Sequence, residues 1–407
     1  MKHNDIIFFL TAISLMLLLS RVASEACRKI KFPMVMGELL VGILLGPTIL
    51  GKISPSISFH LFPLEGSISI AMQGITTISV VMLLFVAGME VQLPMVLKQG
   101  KVAITTGLMG MIIPFALGFG ITWFFPEVFH ANDDKHRMLL SLFMGTAMSI
   151  SALPVIARIL MDLNLFKTNI GMIIIASAMF NDLIGWLIFS LILGLMGQGG
   201  HSINIGYTIS LIIGFGLFML TVGKRLIDRA LPWMQNKLSW PGGVLAFCLG
   251  LCFMAAAFTE LIGVHAILGA FIMGIAFGDS VHLKEQAREI IHQFVTNIFA
   301  PLFFVSIGLK VNFIDHFSLS IVLIIFAVAC VGKVVGAGLG ARMGGLSKNN
   351  AIAVGFGLNA RGAMEIILGT LALNAGLISQ EIFVALVIMA MLTSIISAPF
   401  MKKFVEI

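Results

Sequence analysis

Apolar runs of about 20 residues, separated by short polar connections, recur from one end of this 407-residue chain to the other. A helix of that length rises about 30 Å, the thickness of a bilayer's hydrocarbon core. In that core a backbone must satisfy its own hydrogen bonds, which leaves helices and closed barrels. The chain is 59% hydrophobic and 11% charged, whereas a soluble surface needs roughly a quarter of its residues charged. The sequence therefore predicts an all-α polytopic membrane protein and excludes a soluble globular domain.

Thirteen spans are expected, at 4–22, 32–50, 69–91, 101–126, 138–161, 169–196, 203–221, 242–259, 263–278, 296–308, 319–340, 350–373 and 380–400. The polar stretch 282–292 is expected to lie on the membrane interface. The first run follows a single lysine, Lys2, and meets no small-residue cleavage pattern before Arg21, so it reads as a retained helix. No soluble regulatory domain is expected after Phe404. Cys27, Cys248, Cys252 and Cys330 lie mostly inside apolar runs without a histidine partner and read as packing residues, not metal or redox groups. The net charge of +6 comes with no basic run interleaved with aromatics, so nucleic acid is not an expected partner, and no cofactor is implied. The positive charges report topology instead. Of the 25 Lys and Arg, 18 fall on odd-numbered connections and the C-terminus and 5 on the N-terminus and even connections. That bias places the N-terminus outside and the C-terminus in the cytoplasm of the cell (inner) membrane.

Two local echoes link the halves of the chain. Val41-Gly42-Ile43-Leu44-Leu45-Gly46 resembles Met273-Gly274-Ile275-Ala276-Phe277-Gly278, and Phe85-Val86-Ala87-Gly88 resembles Val305-Ser306-Ile307-Gly308. Each pair is seven crossings apart, so its two copies run in opposite senses, as in the inverted repeats of many secondary transporters. The expected organisation is a single transmembrane domain over 1–407. Its repeats fall at about 1–200 and 238–407, with a linker helix at about 201–237 and core elements at about 138–197 and 319–403.

The fifth and twelfth spans correspond in this register, and both carry helix-breaking chemistry. Pro154 follows Gly145-Thr146-Ala147-Met148-Ser149-Ile150-Ser151, and proline removes a helical hydrogen bond. The twelfth holds Gly357, Asn359, Arg361, Gly362 and Glu365 at mid-membrane. Interrupted helices at matching positions of two halves point to a midplane binding site. Thr146, Ser149 and Ser151 offer neutral oxygens there, together with backbone carbonyls freed near Pro154.

Asp182 lies near the middle of the sixth span, preceded by Asn181. A charged aspartate there costs roughly 2.5–3.5 kcal/mol on insertion scales and needs water, a partner or a cation. A carboxylate at that depth binds a proton or a dehydrated cation but not both, and that competition suffices for exchange. Lys333 stands beside a stripe formed by Gly332, Gly336, Gly340 and Gly344, which suits close helix packing. Its readings are a counter-charge or a second proton carrier in the ion site, or a structural salt bridge. Arg361 and Glu365, four residues apart, can pair along one helix face. Glu38 reads as a shallow, headgroup-level carboxylate or a guard at the entrance, His265 as a helix-terminus residue, and the four tryptophans as lipid-facing or interfacial anchors.

Taken together, Gly37-Glu38-Leu39-Leu40 with Gly46-Pro47, Leu84-Phe85-Val86-Ala87-Gly88-Met89-Glu90, Phe180-Asn181-Asp182, Pro301-Leu302-Phe303-Phe304 and Asn359-Ala360-Arg361-Gly362 resemble the monovalent cation:proton antiporters. The similar branch contains bacterial Na⁺/H⁺ and K⁺/H⁺ antiporters and plant cation/H⁺ exchangers. The resemblance implies two crossed discontinuous helices beside an ion-binding carboxylate that maps onto Asp182. It also implies a homodimer in membrane lipid, with a mobile core moving against a static dimer domain. Lys333 resembles the lysine that pairs with the first residue of an Asp-Asp motif in electrogenic members. Asn181 stands at that position here, which implies electroneutral exchange of Na⁺ or K⁺ for H⁺. A sodium-coupled organic-anion symporter and a passive cation channel are the alternatives. An intramembrane enzyme is not expected, because Asp182 is the only deep aspartate and no His-Glu-x-x-His pattern occurs.

Overall fold

The computed structural model describes the chain except residues 1–2, 31, 33, 92–99, 132, 164, 167, 196–204, 238–240, 263–264, 281 and 406–407, and except the side chains of 154, 158, 162, 193–195, 205–209, 212–213 and 236. Every regular element among the described residues is helical. The principal helices are α1 (His3–Lys29), α2 (Met34–Leu45), α3 (Ser67–Glu90), α4 (Gly100–Phe124), α5 (Asp134–Ser149), α6 (Leu153–Asp162), α7 (Asn169–Leu195), α8 (Ile205–Phe218), α9 (Lys224–Lys237), α10 (Gly242–Leu261), α11 (Ala266–Gly278), α12 (Glu285–Phe294), α13 (Ala300–Gly308), α14 (Leu319–Met343), α15 (Lys348–Leu358), α16 (Ala363–Asn374) and α17 (Gln380–Phe404).

Among the described residues nine helices are long and apolar enough to cross a membrane, or ten when α15 and α16, bent by 46°, count as one broken span. The expected spans at 138–161, 203–221 and 263–278 fall on helices too short or too polar to qualify alone, so this criterion does not reach thirteen. Most of the polar stretch 282–292 is helical and continuous with the helix that follows it. α12 runs through a π-helical turn, Val295–Phe299, into α13 without a break. The polar stretch thus leads into the candidate span Glu285–Gly308. Its hydropathy is low because one face is charged, while Ala287 and Ile291 on the other are buried.

The chain forms two compact units, one of residues 1–92 and 199–315, the other of 93–198 and 316–407. The first is held by glycine contacts. A Cβ at Gly42 would sit 2.4 Å from the Val305 carbonyl oxygen and 2.9 Å from the Gly308 Cα. A Cβ at Gly274 would sit 2.1 Å from the Phe85 carbonyl oxygen and 3.0 Å from the Gly88 Cα. Exchanging each glycine for its sequence echo turns one contact into the other. Gly274→Ala is therefore expected to lower the melting temperature clearly, since an overpacked site costs about 1–3 kcal/mol or more. Gly74→Ala on α3, where an added Cβ would meet open space, is expected to be neutral or slightly stabilising. Equal melting temperatures for the two variants would refute the role given to the contact.

In the second unit the α14 stripe packs on α4. Cβ atoms at Gly332, Gly336, Gly340 and Gly344 would lie 2.9 Å from Pro114 Cα, 2.6 Å from the Met109 oxygen, 2.3 Å from the Thr105 oxygen and 2.8 Å from Val102 Cα. Trp186 corrects the reading of tryptophans as anchors. It is buried on α7, edge-on to Phe189 with ring centroids 6.1 Å apart. Trp233 is exposed, Arg137 stacks 4.5 Å from the Trp123 ring, and Trp240 lies outside the described residues. His265 caps α11, its Nδ1 accepting from the Ile267 N–H at 3.4 Å.

Candidate functional site

Two helices of the second unit are interrupted. α5 stops at Ser149, residues 150–152 are non-helical, and α6 starts at Leu153. α15 stops at Leu358 and α16 starts at Ala363. Pro154 sits in the first turn of α6, where its missing N–H costs nothing, so it starts the second half-helix instead of kinking a continuous one. Gly357, expected at the break, lies inside α15. A Cβ there would come within 2.8 Å of Ile174 Cδ1 and 3.0 Å of Met401 Sδ, so it packs against side chains of α7 and α17. Gly362 lies at the break as expected and forms the N-cap of α16.

The interrupted segments are laced together. The Ala152 N–H donates to the Ala360 oxygen at 3.1 Å, and the Ser151 hydroxyl to the Leu358 oxygen at 2.9 Å. From α17, the Ser394 hydroxyl donates to the Arg361 oxygen. A helix ends with carbonyls that lack intrahelical partners and with partial negative charge. Two cations meet that end of α5. Arg361 gives Nη1 to the Ala147 oxygen at 2.7 Å and Nη2 to the Met148 oxygen, and Lys333 gives Nζ to the Ser149 oxygen. Glu365 sits in the first turn of α16, where negative charge is favoured. Its Oε2 accepts the Gly362 N–H at 3.0 Å, and its Oε1 pairs with Arg361 Nη1 at 3.0 Å. Arg361, Glu365 and Lys333 are all fully buried.

Backbone oxygens at the crossing thus accept from the protein's own donors. Arg361, Lys333, Ser151, Ser394 and the Ala152 N–H take six of the carbonyls around the crossing. The hydroxyls keep lone pairs. Thr146 Oγ1 donates to the Leu142 oxygen at 2.8 Å, and Ser149 Oγ contacts the Gly145 oxygen at 2.8 Å and the Met111 oxygen at 2.9 Å. Each hydroxyl has one proton to give and retains acceptor capacity. Asn359 is buried at the break, its Nδ2 3.5 Å from Cys330 Sγ.

α7 brings Asn181 and Asp182 to this crossing, both buried. Its approach is set by Gly185, whose Cβ would lie 2.5 Å from Ile150 Cγ1 in the first break. Asp182, three residues earlier, shares that side of the helix. The Asn181 amide is oriented by its partners. Its nitrogen donates to the Gly107 oxygen at 2.8 Å and its oxygen accepts from Lys333 Nζ at 3.0 Å. Lys333 is also within electrostatic reach of Arg361, Glu365 and Asp182. Sequence reasoning missed the Gly107 and Met111 carbonyls and Ser394. Backbone acceptors leave no mark on residue type, and Ser394 is one hydroxyl in an apolar run.

Comparison with known proteins fits this architecture. Residues 13–404 match the family model described as sodium/hydrogen exchanger, transmembrane. The chain is 30% identical over 407 residues to the Na(+)/H(+) antiporter NhaS4 of Synechocystis sp., covering 99% of this chain and 98% of that protein. It is 32% identical over 396 residues to cation/H(+) antiporter 17 of Arabidopsis thaliana, and 28% identical over 414 residues to K(+)/H(+) antiporter 1 of Saccharomyces cerevisiae. Those matches take in 95% and 98% of this chain but 47% and 46% of the relatives, so it spans about half their length. The sodium proton antiporter MjNhaP1 from Methanocaldococcus jannaschii shares the fold, with a TM-score of 0.65 at 16% identity over 98% of this chain and 97% of that one. Apolar helices in this number and these relatives make it a multi-pass membrane protein. With one family model covering nearly every residue, this chain belongs to the sodium/hydrogen exchanger family.

Proposed function

We propose that this chain exchanges a monovalent cation, Na⁺ or K⁺, for H⁺, with the two competing for the Asp182 carboxylate in alternating access. The observation that carries the reading is a buried Asn181-Asp182 pair set against the crossing of two broken helices. The end charges of those helices are met by Arg361, Lys333 and Glu365. The cation takes Asp182 and the hydroxyl oxygens of Thr146, Ser149 and Ser151 as ligands. The names of the relatives, antiporters of Na⁺, K⁺ and H⁺, support the same reading.

The symmetric contacts Gly42–Gly308 and Gly88–Gly274 support an inverted repeat. The division into two units supports a core that moves against a frame. In this proposal the protein is a homodimer of the cell membrane, and the lysine and arginine bias supports an outside N-terminus and a cytoplasmic C-terminus.

Exchange is one proton per cation. Lys333 is held by an amide, Asn181, and a backbone carbonyl, so no acid stands in the place from which a second proton would be exchanged against the lysine. Proton flux in liposomes driven by Na⁺, K⁺, Li⁺ or Rb⁺ tests the activity and identifies the ion. At one-to-one coupling an imposed membrane potential is expected to leave the reversal point unmoved. A reversal potential fitting two protons per cation would overturn the stoichiometry, and no flux with any of the four ions would overturn the function.

A further inference from the structure

Glu38, placed near the start of a span, is enclosed by protein and not open to its surroundings. It is 5% exposed on α2 in the first unit, and its Oε2 has no hydrogen-bond partner. No lysine, arginine or histidine among the described residues pairs with it. The helices are tight there, since a Cβ at Gly37 would lie 2.5 Å from the Ser24 nitrogen and the Ala23 carbonyl carbon. Ser24, on α1 and 4% exposed, lies within hydrogen-bonding reach of the Glu38 carboxyl and donates to the Met34 oxygen at 3.1 Å. One hydroxyl proton therefore serves two competing acceptors, while a third oxygen has none. A buried acceptor left in that condition costs about 1–3 kcal/mol, more when charged.

We propose that Glu38, the Ser24 hydroxyl and the Met34 carbonyl form a second site for a monovalent alkali cation, separate from Asp182. Carboxylate, hydroxyl and carbonyl are the oxygen donors that hard cations prefer. A bound cation satisfies all three oxygens at once and neutralises the carboxylate, whereas a proton adds only one donor to the corner. The site sits where α1 meets α2, so occupancy ties those helices together. It bears on the stability of the first unit and takes no part in the exchange step.

The test uses the full chain carrying Asp182→Asn, so that the result is independent of whether Asp182 transports. Melting temperature is measured in KCl or NaCl against N-methylglucamine chloride at equal ionic strength. The Asp182→Asn protein is expected to be stabilised by the alkali cation, and the response is expected to vanish when Glu38→Gln is added. Ser24→Ala in the same background keeps the carboxylate but loses one ligand. It is expected to raise the half-maximal cation concentration about tenfold, and it serves if the Glu38→Gln protein does not fold. A cation response that is absent in Asp182→Asn, or unchanged by both substitutions, would overturn the proposal. So would stability that follows pH through Glu38 but ignores the cation, which would identify a proton site only.

Discussion

Asp182→Asn is expected to reduce cation-dependent proton flux in liposomes to the level of protein-free vesicles while leaving the fold intact. Asparagine has the shape of aspartate but neither takes up a proton nor balances a cation, so both halves of the exchange lose their carrier. The fold survives because the substitution removes a charge whose depth costs roughly 2.5–3.5 kcal/mol on insertion scales. The melting temperature is therefore expected to match or exceed that of the wild type. Flux at the wild-type rate from a folded variant would remove Asp182 from the mechanism and move the carrier elsewhere on the crossing.

Arg361→Ala is expected to have the largest effect on stability. The guanidinium is fully buried and holds the Ala147 and Met148 carbonyls together with Glu365. Its removal leaves a buried carboxylate and a bare helix end, and breaking such a pair from one side costs about 3–5 kcal/mol. Arg361→Lys is expected to recover only part of the loss, because a single ammonium lacks the planar fork that reaches two carbonyls and a carboxylate together. Glu365→Gln is the milder change, since its amide oxygen still accepts the Gly362 N–H. Denaturation in detergent ranks the three variants. A melting temperature for Arg361→Ala equal to that of Glu365→Gln would contradict this account of the crossing.

The helical order and both interruptions were legible in the sequence because hydropathy and helix-breaking residues are local properties. Asp182 and Lys333 were legible for a related reason: a charge inside an apolar run stands out whatever surrounds it. Which glycine breaks a helix was not legible. Gly355, Gly357 and Gly362 lie close together, and only the fold shows that Gly357 lies inside α15 and Gly362 at the break. The enclosure of Glu38 was not legible because position along a run measures distance from its end, whereas burial depends on how closely α1 lies against α2. Trp186 was misjudged for the same reason, since residue type cannot separate a lipid-facing ring from one buried against neighbouring side chains. The fate of the freed carbonyls was beyond reach, because their partners are 184 to 214 residues away in sequence.

That sequence separation bears on how the protein is made. The Ala147, Met148 and Ser149 carbonyls leave the ribosome long before the Lys333 and Arg361 that cover them. At about 5–20 residues per second, roughly 10–40 s of synthesis separate the two. During that interval the end of α5 must rely on water or lipid headgroups, or wait at the membrane entry machinery. The crossing is therefore a late event in biogenesis. A chain truncated before Arg361 would leave the second unit not weakened but unclosed, a ready substrate for membrane quality control.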